Sequence, residues 1–103
     1  MKEELLSEKT GIKQKVIQEI VELAQKNDVT KVILFGSRAR GDYKERSDID
    51  LAFCGGNSSR FILDIDEKTS TLLGFDVVDL DKPTKKELLD SINREGVLIY
   101  EKV

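Results

Sequence analysis

The chain has 103 residues, of which 39% are hydrophobic and 36% charged, with a net charge of −3 at neutral pH. That balance allows an ordinary buried core under a heavily charged surface and predicts a single domain over residues 1–103. It excludes the broad basic footprint of a duplex binder, so direct nucleic-acid binding is not expected. No apolar run is long enough to span a bilayer, so no membrane partner is expected either.

The opening segment, MKEELLSEKTGIKQ, carries acids where a signal peptide has an apolar stretch, which predicts a cytoplasmic protein. Cys54 is the only cysteine and there is no histidine. This excludes a disulfide within the chain and a cysteine–histidine zinc site. Metal chemistry would need oxygen ligands, and a general base would be a carboxylate or a lysine.

In chain order, Thr10 is placed to cap a helix in which Ile12, Val16, Ile17, Ile20, Leu23 and Ala24 recur at helical spacing, ending near Asn27 and Asp28. KVILF, residues 31–35, reads as a buried strand stopped by Gly36. Residues 41–46 are a polar loop, after which Ile49, Leu51 and Phe53 alternate with Asp48, Asp50 and Ala52 as a second strand. Glycines and serines at 55–59 break it, and Ser58 or Ser59 caps a helix carrying Phe61, Ile62, Ile65 and Leu72, closed by Gly74. FDVVDL, residues 75–80, is a third strand that Pro83 keeps from continuing as a central one. Thr84 and Glu87 have capping-box spacing before a helix with Leu88, Leu89 and Ile92, ended by Gly96. VLIYE, residues 97–101, fits either a last strand or an extended tail. The order predicts an α+β (α/β-like) fold, a small mixed sheet with helices packed on it.

The chemistry concentrates in residues 34–53, LFGSRARGDYKERSDIDLAF. Gly36 and Ser37 follow a strand at a tight turn, where the missing side chain lets backbone approach a phosphate. Arg38, Arg40, Lys44 and Arg46 form a local cationic patch suited to a small polyanion. Asp48 and Asp50, two apart on a strand, leave the same face, an arrangement that divalent cations stabilise and that polar edge strands also show. Asp76 and Asp79 are both candidates for a third carboxylate. They have opposite parity, and pattern alone leaves the choice open.

The string GSRARGDYKERSDIDL resembles the signature of the minimal nucleotidyltransferase (MNT) domains of the DNA polymerase β-like superfamily: Gly-Ser, a short basic stretch, then Asp-x-Asp. The likeness is close over residues 33–53 and extends over nearly the whole chain through the opening helix, FDVVDL and the ending INREGVLIYEK. It implies a polymerase β palm-like fold, ATP or another NTP as substrate, and two magnesium ions. It implies that Gly36 and Ser37 hold the triphosphate, that Asp48 and Asp50 ligate metal, and that Asp76 is the third catalytic and metal-binding acid, with Asp79 in reserve. Arg38 and Arg40 would face the phosphates or the acceptor. The acceptor is expected on another protein. The resemblance implies a helical HEPN-type partner in a toxin–antitoxin pair, with this chain as the antitoxin that adenylylates it. Two other readings fit the residues: a binding protein that neutralises its partner by occupying it, and a transferase acting on a small hydroxyl compound. Self-association is left open, and Tyr43 and Tyr100 receive no role.

Overall fold

A computed structural model describes residues 2–103. The chain runs α1 (Lys2–Thr10), α2 (Gln14–Lys26), β1 (Lys31–Phe35), α3 (Ser37–Arg40), β2 (Ile49–Cys54), α4 (Ser58–Lys68), β3 (Phe75–Asp79), α5 (Lys86–Glu95) and β4 (Val97–Glu101). The strands form one mixed sheet in the order β3-β2-β1-β4. β1 is antiparallel to β2 and to β4, whereas β2 and β3 are parallel. The expected α+β architecture is therefore present, and VLIYE is an edge strand rather than a tail.

The two-residue period of β2 decides the layers. Ile49, Leu51 and Phe53 point into the main core, where they meet Val32 and Leu34 of β1, the buried face of α2, and Phe61 and Ile65 of α4. Phe53 and Phe61 meet with ring centroids 4.9 Å apart and planes tilted by 60°. Each such fully buried large apolar side chain contributes about 1.5–3 kcal/mol relative to exposure. Ala52 points the other way, into a thinner layer with Phe35 and Ile92 that seats α5 on the opposite face. Asp50 shares that second face. Among the described residues no helix is long and apolar enough to cross a membrane.

Four expected boundaries differ. Thr10 ends α1 instead of opening α2: its hydroxyl donates to the Leu6 carbonyl at 2.6 Å and accepts from the Ile12 amide at 3.2 Å. The helix α1 was not read because KEELLSEKT has too few apolar residues to show a buried stripe. The cap of α4 is Asn57, whose side chain accepts from the Arg60 amide, rather than a serine. That helix stops at Lys68, where the Glu19 carboxylate takes up the Ser70 amide at 2.8 Å, leaving Leu72 fully exposed in the following loop. The capping box at Thr84 does not form. Its hydroxyl donates to the Lys82 carbonyl at 2.9 Å, and α5 begins behind Lys85 without a side-chain cap.

Candidate active site

At the end of β1 the backbone must turn from strand to helix within one residue. Gly36 does this at φ 77° and ψ −159°, a region that essentially only glycine occupies. A side chain there would also overlap the carboxylate of Asp50 on β2. The Gly36 carbonyl accepts from the Ala39 amide at 3.1 Å and the Arg40 amide at 3.0 Å, which closes α3. The amides of Ser37 and Arg38, in the first turn, have no acceptor within the helix.

Asp48 lies just before β2, whose first amide, on Ile49, donates to the Gly74 carbonyl at 2.9 Å and so ties it to the entrance of β3. Gly74 lies close to Asp48: a Cβ there would stand 2.8 Å from Oδ1. One step on, the parallel register sets Asp76 directly opposite Asp50. Directly paired residues of adjacent strands share a face, so the two carboxylates point to the same side. Asp79 pairs with Phe53 on the other face, and its carboxylate accepts from the Asp81 amide at 3.0 Å within the turn after β3. Of the two candidate third acids, geometry brings only Asp76 to the Asp48–Asp50 edge.

The neighbouring acids disfavour ionisation of Asp50. Burial first, then the charges of Asp76 and Asp48, push the Asp50 carboxyl from the ordinary 3.8 up to about 6, against a pull from Arg40. Asp48 and Asp76 are exposed. Among the described residues no three acidic or cysteine side chains are already drawn together into a closed metal cage. The residues nevertheless fit a divalent cation. All the donors are hard carboxylate oxygens, and Asp50 carries a penalty that a cation beside it would reverse.

The two arginines expected at the phosphates go to different tasks. Arg38 is 2% exposed. Its guanidinium donates to the carbonyls of Thr10 at 2.8 Å, Ser47 at 3.0 Å, Glu45 at 3.1 Å and Lys44 at 3.5 Å. It also stacks 4.8 Å over the Tyr43 ring, and Tyr43 in turn lies against Gly11. Arg38 therefore ties the loop of residues 41–47 to the end of α1, and its donors are directed at the loop instead of at the aspartates. Arg40 is half exposed and lies within reach of Asp50's charge. It pairs with Asp42 at 3.2 Å and with both oxygens of Glu95 at 3.1 Å.

Glu95 is the site residue that the sequence reading missed. From the last turn of α5 its carboxylate also accepts from the Gly36 amide at 3.3 Å, and its charge adds to the pressure on Asp50. A signal was present: an acid at a helix C-terminus, just ahead of the closing Gly96, stands against the helix dipole and calls for a compensating partner.

The geometry places a Gly-Ser turn beside Asp48, Asp50 and Asp76 at one end of the β2–β3 pair. The sequence model of the family "Polymerase beta, Nucleotidyltransferase" matches residues 18–103. The chain belongs to this family, and with it to the nucleotidyltransferase class of enzymes. It is 40% identical over 68 residues to the Methanocaldococcus jannaschii protein named "Putative protein adenylyltransferase MJ0604", the match covering 63% of this chain and 66% of that protein. A solved toxin-antitoxin structure with AMP-PNP is similar at TM-score 0.67 and 24% identity, over 84% of this chain and 73% of the other. A variant of the toxin-antitoxin MntA-HpeT is similar at TM-score 0.66 and 20% identity, with the same coverage. At these identities the structural likeness shows the nucleotidyltransferase fold.

Proposed function

We propose that this chain transfers AMP from ATP to a hydroxyl on a helical HEPN-type protein, as the magnesium-dependent antitoxin of a toxin–antitoxin pair in the cytoplasm. The observation that carries the reading is the parallel pairing of Asp50 with Asp76, with Asp48 two residues away and the Gly36 turn against Asp50. A protein acceptor is supported by the name of the M. jannaschii relative, and a toxin partner by the toxin-antitoxin structures of the same fold.

Asp48, Asp50 and Asp76 would hold two magnesium ions, which when bound supply positive charge to the transferring phosphoryl group and its leaving oxygen. The chain's own residues do the rest. The amides of Gly36 and Ser37 and the guanidinium of Arg40 hold the triphosphate and so fix where the α-phosphorus lies. The acceptor oxygen forms a bond to that phosphorus as the bond to the bridging oxygen of the β-phosphate breaks, and pyrophosphate leaves with the electron pair. The acceptor proton passes to Asp76, which is exposed and so accessible to a hydroxyl presented by another protein. Arg38 contributes by holding the loop that carries the chain from α3 to Asp48.

The test incubates the protein and its genomic neighbour with magnesium and ATP labelled at the α-phosphate. Label on the neighbour with the wild type, and none with Asp48→Ala/Asp50→Ala, is the expected result. No transfer by either protein, despite tight binding to the neighbour, would replace this reading with that of an antitoxin acting by occupancy alone.

A further inference from the structure

Glu95 stands in a costly place. It ends α5, where the helix dipole disfavours negative charge, and it lies among the acids of the site with its side chain only 15% exposed. What holds it there are two donors, the Gly36 amide and the Arg40 guanidinium. In the reading above these same two groups receive the triphosphate. A carboxylate offers two oxygens to an amide and a guanidinium much as a phosphate does.

We infer that Glu95 is a resident stand-in for the triphosphate, occupying the Gly36 amide and the Arg40 guanidinium until a nucleoside triphosphate displaces it. The inference rests on the nucleotidyltransferase reading and adds to it a competition built into the site. The contacts suit exchange. The Gly36 bond is long, at 3.3 Å, and Arg40 is 45% exposed, with Nε on Asp42 and Nη1 on Glu95, so an incoming phosphate can reach Nη2 before Glu95 lets go. Release frees the Glu95 side chain into solvent at the junction of α5 and β4.

The experiment measures binding of inorganic tripolyphosphate, of a fluorescent ATP analogue and of adenosine, all with magnesium, to the wild type, Glu95→Gln and Glu95→Asp. Glutamine keeps the shape and an acceptor for Gly36 but gives up the competing charge. Aspartate keeps the charge but withdraws it from the seat. Both variants should bind tripolyphosphate and the ATP analogue about fivefold more tightly, with adenosine unchanged. In the wild type, tripolyphosphate should also shift the amide resonance of Gly36. Equal or weaker phosphate binding by both folded variants would overturn the inference and leave Glu95 as a residue that positions Arg40, with the nucleotidyltransferase reading intact. No binding of the phosphates by the wild type or either variant would instead remove that reading and the stand-in with it.

Discussion

Replacing Asp50 by asparagine should stabilise the protein at neutral pH while removing a residue the proposed reaction needs. The rise of the Asp50 carboxyl from 3.8 to about 6 comes from burial, then from Asp76 and Asp48. Taken at face value it corresponds to at most about 3 kcal/mol of unfavourable free energy for the ionised folded state. Asp50 is only partly buried, so solvent screening reduces this to about 1 kcal/mol. Because the folded-state value lies above the unfolded one, the contribution of Asp50 to stability is fully present below about pH 4. It is lost as pH rises through about 6. Urea unfolding of wild type and Asp50→Asn in EDTA should therefore give a variant more stable by about 1 kcal/mol at pH 7.5 and a difference near zero at pH 3.5. Adding magnesium should stabilise the wild type more than the variant and narrow the gap. A variant no more stable than wild type at pH 7.5 in EDTA would refute the claim that burial and the neighbouring carboxylates strain Asp50.

Arg38→Lys should lower stability by about 3 kcal/mol, seen as a fall in Tm of about 12–20 °C. A lysine cannot span the carbonyls of Thr10, Lys44, Glu45 and Ser47 that the guanidinium fork serves. A Tm within 3 °C of wild type would show that the loop does not depend on this side chain. Asn57→Ala should cost about 1 kcal/mol through loss of the α4 cap, whereas Thr84→Ala should change stability by less than about 0.5 kcal/mol because its hydroxyl caps nothing. Paired urea titrations of the two variants test this directly.

The sequence made legible whatever local periodicity controls. The alternation of β2 sets Asp50 on the face opposite Ile49, Leu51 and Phe53, and the spacing in α2 marks its buried residues. The choice between Asp76 and Asp79 depends on which strand β3 joins and in which register, information carried by a parallel pairing across α4 and absent from the hexapeptide itself. Arg38 and Arg40 look alike in SRAR, and only the loop carbonyls that surround the first separate them. The capping box at Thr84 had the right residue types. In the folded chain its hydroxyl is taken by a nearer carbonyl, at Lys82. Glu95 lies 59 positions from its partner Gly36, so its place at the end of α5 signals the need for a partner without saying which residue supplies it.

The mixed sheet also divides the site between a local and a non-local pairing. β1 and β2 pair antiparallel as neighbours among the strands, whereas the parallel pairing of β3 with β2 needs the crossover through α4. Asp50, with Asp48 just ahead of it, therefore depends on a pairing between sequence neighbours, and Asp76 on a non-local one. The third carboxylate joins the other two only through the crossover, so the complete set of acids is a property of the whole sheet, and a chain in which β3 has come away from β2 carries two of them without the third.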